Sequence, residues 1–235
     1  MQGENGTEQA AERTTEQAAE LILEAALPHV AFDGWSQATL QAAIGDSGIA
    51  PALAMALYPR GGIDLALAYH RRGDRIMAGI ITQGPPEGGI RDRIAAAVMT
   101  RLSLADREAV RRGSALMALP QHATDGAGAV WGTADAIWRA LGDTSVDLNW
   151  YSKRATLSAV YAATVLYWLG DDSEDASATR AFLQRRLDGV MRVEKAKAAL
   201  RKNPVTKRLL AGPLKLVSHI RAPAPTDDLP GRTSR

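Results

Sequence analysis

The stretch DLNWYSKRATLSAVYAATVLYWL, residues 147–169, holds neither Gly nor Pro and begins with a residue suited to cap a helix. The Asp147 side chain can accept from the free amides of a first turn, and nothing interrupts the run before Gly170. The spacing predicts a helix of roughly 30 Å. Trp150, Leu157, Tyr161, Val165 and Trp168 fall along one stripe of it. Ser152, Ala155, Ala159, Ala162 and Ala163 fall on the opposite side, where small side chains let another backbone come close. A helix apolar on all sides belongs at the centre of a helical protein. Its charge-free part, residues 155–169, is shorter than the roughly 18 residues a membrane span needs, and Lys153 and Arg154 stand at its start. The expectation is a buried helix of a soluble protein.

The composition outside this stretch agrees. Ala abounds, only 5% of the 235 residues are aromatic, and β-branched residues are sparse, a balance that favours helices packed at short distance. The absence of Cys removes disulfides and Cys-ligated metal sites from consideration. A net charge of +2 does not by itself imply a nucleic-acid partner. The charge is unevenly placed, however. Residues 192–221 carry cations from Arg192 to Arg221 against the single acid Glu194, whereas Glu4, Glu8, Glu12, Glu16 and Glu20 make the start acidic. An acidic start without an apolar core is neither a secretory signal nor an Arg-rich transit peptide, so a cytoplasmic location is expected.

Taken in order, residues 1–13 read as a flexible tail. Thr14 or Thr15 can cap a first helix carrying Leu21, Ile22, Ala25, Ala26 and Val30 at helical spacing. Ser36 caps a second helix, stopped by Gly45 and Gly48, and Pro51 opens a third. Longer helices follow from Ile63, from Ile90 and from Ala105, the last two with their cations on one side and Ile94, Val98, Leu102, Leu116 and Leu119 on the other. Residues 121–128 read as a Gly-containing turn before the helix AVWGTADAIWRALG. A final long helix covers about 176–202.

Residues 22–70, ILEAALPHVAFDGWSQATLQAAIGDSGIAPALAMALYPRGGIDLALAYH, resemble the N-terminal helix-turn-helix domain of TetR-type repressors. Periodicity alone does not separate that geometry from a plain bundle of three short helices. The chemistry of DNA recognition is missing, because groove reading needs polar side chains that reach base edges and phosphates. The segment in the recognition-helix position, Pro51 through Leu57, has none, and Arg60 lies past it.

Beyond Asn203 and Pro204, the apolar residues Val205, Leu209, Leu216, Val217 and Ile220 share one face of a wheel, with Leu210 at its edge. Lys207, Arg208, Lys215 and His219 take the other. An apolar stripe backed by cations is the pattern of an interfacial membrane helix, and Pro213 should kink it. These residues form the expected membrane-binding set. Residues 222–235, rich in Pro, read as a disordered tail.

No catalytic or metal constellation emerges. His29, His70, His122 and His219 are scattered without Glu-x-x-His spacing, no phosphate-binding Gly-rich loop is present, and no Ser has a nucleophile elbow. The expectation is a protein that is not an enzyme and needs neither metal nor cofactor. Apolar volume remains, since pockets between bundle helices are common ligand sites. Trp138, Leu157, Tyr161 and Trp168 are the candidate lipid-lining residues, with Ile137 beside them.

The segment GDTSVDLNWYSKRATLSAVYAATVLYWLGDDS, with ALMALPQHATDG before it and TRAFLQRRLDGVMRVEKAK after it, is similar to the Coq-nine family of ubiquinone-biosynthesis accessory proteins. The D-x-N-W-Y-x-x-R core is Asp147, Asn149, Trp150, Tyr151 and Arg154, and the likeness spans about residues 17–200. The resemblance implies an all-α, TetR-like multi-helix bundle without DNA binding, and a likeness to homodimers. It implies a non-catalytic protein that binds isoprenoid quinone precursors or phospholipid at the membrane. Such a protein presents its lipid to the di-iron hydroxylase that acts on demethoxyubiquinone. In that family the surface meeting the hydroxylase includes the pair matching Trp150 and Tyr151 and the position matching Ile137. The organisation expected is a flexible tail (1–13), a three-helix domain (14–60), a lipid-binding helical domain (61–202), an amphipathic helix (203–221) and a disordered tail (222–235). The location implied is peripheral on the inner membrane, on the matrix side in a eukaryote. A TetR-type DNA-binding regulator and a ligand-free protein-binding scaffold are the alternatives.

Overall fold

A computed structural model of the chain describes residues 2–202, and the side-chain environments of residues 14–193. The described residues form α1 (Gln2–Asp33), α2 (Gln37–Ser47), α3 (Pro51–Leu57), α4 (Gly62–Gln83), α5 (Ile90–Ser103), α6 (Arg107–Met117), α7 (Ala123–Ala140), α8 (Leu148–Trp168) and α9 (Ser177–Lys202), with no strand among them. None of these helices is long and apolar enough to cross a membrane. The Val205–Ile220 face and the expected tail after it lie outside the described residues.

Two buried clusters organise the helices. Ile22, Leu23, Val30, Leu40 and Leu65 anchor one, which gathers α1, α2 and α3. Met77, Val98, Ile137, Leu157 and Leu183 anchor the other, formed by α5, α7, α8 and α9. Helix α4 contributes to both, Leu65 to the first and Met77 and Ile81 to the second. It is the strut between them.

Helices α2 and α3 adopt the helix-turn-helix arrangement. Ser36 caps α2 by accepting from the Thr39 amide at 3.2 Å, and Gly48 ends it in the left-handed region at φ 66°. Pro51 sits in the first turn of α3, where its missing amide costs nothing. Trp35 locks this unit to the rest. Its indole Nε1 donates to the Ala109 carbonyl at 2.9 Å, and its ring lies 5.4 Å from that of Tyr69. Gly62 lets α4 begin against the same turn, since a Cβ there would stand 2.3 Å from the Trp35 carbonyl oxygen.

Several expectations change. Helix α1 starts at Gln2 rather than at Thr14 or Thr15, so the flexible-tail reading of 1–13 gives way over 2–13. The Glu, Gln and Ala content of that segment favours helix and outweighs Gly3 and Gly6. The expected turn at 121–128 is a short 3₁₀ turn, Pro120–His122, leading straight into α7. Gly126 serves helix crossing there, because a Cβ on it would meet Met117 at 3.1 Å. Arg101, placed with the outward cations, is buried and ion-paired to Asp74 at 2.7 Å. Leu119, placed inward, is exposed.

Helix α8 is also less central than expected. Arg154, Leu157, Val160, Tyr161, Thr164 and Trp168 are buried, but Ser152, Ala155 and Ala159 face outward and Leu166 is 68% exposed. Alanine counts as apolar in a pattern, yet it has little surface to gain from burial. A ring of alanines therefore does not require a neighbour on every side.

Candidate functional site

The start of α8 works as one unit. The Asp147 carboxylate accepts from the Asn149 amide at 2.9 Å and fixes the first turn. One turn on, Trp150 and Arg154 are four residues apart and face each other, with the guanidinium 4.0 Å from the ring centroid. Arg154 is nearly inaccessible, at 1% exposure. Its Nε donates to Asp135 at 2.6 Å, and its Nη1 to Asp143 at 3.1 Å and to the Trp150 carbonyl at 3.2 Å. A desolvated cation against an indole face is attracted by the ring quadrupole. The D-x-N-W-Y-x-x-R spacing thus encodes a cap, an aromatic pair, and the buried cation beneath the tryptophan.

Trp150 and Tyr151 are half-buried and meet edge to face at 4.8 Å. Trp131 of α7 joins them, 6.0 Å from Trp150 and 6.5 Å from Tyr151. Sequence reasoning missed Trp131, because its direction depends on the register between α7 and α8. Ile137 requires a correction: it is fully buried in the second core cluster and not in a surface that a partner can touch. Trp138 is half-buried, donating from Nε1 to the Lys153 carbonyl at 3.2 Å while the Lys153 ammonium lies 5.1 Å from its ring.

Asp143 closes this network. Burial alone would raise its carboxyl, but hydrogen bonds from Lys153 (2.7 Å), Ser145 (2.8 Å) and Arg154 (3.1 Å) outweigh it and hold it at about 2. A carboxylate depressed in the folded state stabilises above its unfolded value near 4 and loses that contribution as pH falls towards 2. Asp143→Asn is therefore expected to lose about 2 kcal/mol at neutral pH. Urea unfolding from pH 7 to pH 2 should also show a flatter acid limb than the wild type. An unchanged acid limb would mean that Asp143 does not carry this dependence.

The four candidate lipid-lining residues do not share one cavity. Trp138 and Leu157 border a cleft of about 250 Å³ with Ile94, Val160 and Leu187. Tyr161 borders a different one of about 250 Å³, among α4, α6, α7 and α8. Trp168 edges a third, shared with Met99 and Arg180. A helical stripe gives direction but not neighbour, and α8 meets different helices along its length. Among the described residues no cluster of His, Asp or Glu is arranged to hold a metal ion. Arg60, the cation nearest α3, is tied to Asp64 at 2.8 Å and Asp125 at 3.0 Å.

Comparison with known proteins follows the same lines. Residues 123–194, which contain α7, α8 and the aromatic group, match the COQ9 family model. The chain is 30% identical over 181 residues to the ubiquinone biosynthesis protein COQ9 of Drosophila melanogaster, covering 74% of this chain and 55% of that protein. It is 28% identical over 198 residues to the human COQ9, covering 80% of this chain and 62% of that protein. The match to a probable coq9 protein of Dictyostelium discoideum is 28% over 185 residues, covering 75% and 60%. The chain therefore spans less than two thirds of the length of these relatives, all named as mitochondrial. Among solved structures, a TetR transcriptional regulator from Nitrosomonas europaea superposes with a TM-score of 0.55 at 20% identity, covering 72% of this chain and 95% of that one. At that identity the likeness is one of fold.

Proposed function

We propose that this chain, whose residues 123–194 belong to the COQ9 family, serves ubiquinone biosynthesis as a non-catalytic lipid-binding accessory protein. It takes an isoprenoid quinone precursor from a membrane surface and presents it to the di-iron hydroxylase of demethoxyubiquinone. The family match across α7 and α8 carries this reading, because it falls on the segment that builds the aromatic group. Trp131, Trp150 and Tyr151 supply the anchor type that dominates protein interfaces, and Arg154 holds Trp150 in place from below. The clefts beside α8 supply apolar volume, and Val205, Leu209, Leu210, Leu216, Val217 and Ile220, with Lys207, Arg208 and Lys215, supply membrane contact. Homodimerisation and a peripheral place on the inner membrane, matrix-side in a eukaryote, belong to the same reading.

A DNA-binding role is disfavoured by α3, whose exposed positions are Pro51, Ala52, Leu53, Met55 and Ala56, and by the internal pairing of Arg60. Native mass spectrometry of the purified protein tests the proposal. Isoprenoid quinone precursors are expected with the wild type and are expected to be lost from a Leu209→Asp/Leu216→Asp variant. Trp150→Lys should keep the lipid and weaken hydroxylase binding at least tenfold, as the loss of a buried aromatic anchor does. An empty wild-type protein that liposomes fail to recruit would leave a scaffold without a lipid.

A further inference from the structure

An open groove of about 540 Å³ lies between α4 and α7. Ala78, Gly132 and Ala136 border it, and so do Arg71, Arg75 and Arg139. Its two acids are already neutralised from within. Asp74 is held by the buried Arg101 at 2.7 Å, and Asp135 by the buried Arg154 at 2.6 Å. The outer guanidiniums are therefore in surplus. Arg71 is exposed and enters no ion pair among the described residues. Arg75, 67% exposed, reaches Glu20 only at 3.9 Å, and Arg72 already takes that carboxylate at 2.8 Å. Arg139 shares Asp135 with Arg154. Glu16 borders the neighbouring cleft against α1 and not this groove.

The charge and the shape of the groove select the same kind of guest. An added Cβ on Gly132 would meet nothing within 4 Å, so α7 shows bare backbone there. Glycine weakens a helix relative to alanine, and no contact inside the chain requires it at this position. Together with Ala78 and Ala136 it leaves room for another helix to come close. Guanidiniums take carboxylates through paired N–H donors, and four-residue spacing puts Arg71 and Arg75 on one face of α4. Surplus cations beside an uncharged floor favour an acidic helix over a basic or an apolar one. The groove also adjoins the aromatic group. Trp131 directly precedes Gly132, and Asp135 pairs with the same Arg154 that lies 4.0 Å from the Trp150 ring. A single partner can thus straddle α7.

We propose that the groove between α4 and α7 docks an acidic helical segment of the same protein partner that the aromatic group anchors, its carboxylates on Arg71 and Arg75. The assignment rests on the hydroxylase-presenting reading above and adds a second, electrostatic contact to it. Binding kinetics of the full chain with the hydroxylase, at about 0.02 M and about 0.5 M salt, test it. Arg71→Glu/Arg75→Glu, checked for folding by circular dichroism, is expected to slow association at least tenfold at low salt and to flatten its salt dependence, because charges at an interface edge act mainly on the on-rate. Gly132→Leu, which fills the floor without changing charge, is expected to speed dissociation about tenfold. If the hydroxylase binds both variants as it binds the wild type, the groove assignment falls and the aromatic anchor stands. If only the arginine variant has an effect, the cations steer from a distance and docking in the groove is overturned. If the arginine variant loses recruitment to anionic phospholipid vesicles while hydroxylase kinetics stay unchanged, the groove reads lipid headgroups and the assignment falls. A wild-type chain that does not bind the hydroxylase overturns both readings.

Discussion

Arg154→Ala is expected to lose about 3–5 kcal/mol of unfolding free energy, the usual cost of removing one partner from a buried ionic group. The magnitude follows from what is left behind. Asp143 is itself nearly inaccessible and would keep Lys153 as its cation, while Asp135 would retain only the exposed Arg139 at 2.8 Å. The Trp150 ring would also lose the cation 4.0 Å from its centroid. Urea unfolding measures the stability, and tryptophan emission reports the ring's surroundings. Arg154→Met, which fills the volume without charge, should recover little, because both carboxylates remain. A loss below about 1 kcal/mol, the value of an exposed pair, would mean that the network does not hold the start of α8.

Gly62→Ala is expected to cost about 3 kcal/mol, at the upper end of overpacking, although Ala is the better helix former by about 1 kcal/mol. The added methyl would meet the Trp35 carbonyl oxygen at 2.3 Å and the Ser36 nitrogen at 2.6 Å. Backbone atoms cannot rotate away as a side chain can. The internal comparison is Gly79→Ala in the same helix, where an added Cβ meets nothing within 4 Å, and it should stabilise by about 0.5–1 kcal/mol. Thermal unfolding of the two variants separates them by sign. If Gly62→Ala were as benign as Gly79→Ala, the helix-turn-helix unit would not be docked through Trp35 as described.

The elements that punctuation defines were legible beforehand. Ser36, Pro51 and Asp147 each mark a helix start by local chemistry, and each stands at the expected place. The start of α1 was not legible, because Thr14 and Thr15 look like caps whether or not helix precedes them. The turn expected at 121–128 failed for a related reason. Glycine breaks an isolated helix, but Gly126 inside a packed one is what brings α7 against Met117. Of the candidate site, the Trp150–Arg154 pairing follows from four-residue spacing, whereas Trp131 and the buried state of Ile137 depend on how α7 is rotated against α8. Periodicity on one helix contains no information about that rotation. Arg101 shows the same limit, since its burial is decided by Asp74, 27 residues earlier in the chain.

Helix α7 forms one wall of the Tyr161 cleft, through Gly126, Ala129 and Val130. Three glycines fall within ten residues of its start: Gly126, Gly128 and Gly132. Only Gly126 is required by close contact, for added Cβ atoms on Gly128 and Gly132 would meet nothing within 4 Å. At about 1 kcal/mol each relative to alanine, the latter two lower the helix's intrinsic stability without improving its packing. The first turns of α7 therefore open more readily than the glycine-free turns of α8 across the cleft. The expected signature is faster amide hydrogen exchange in the first turns of α7 than in α8.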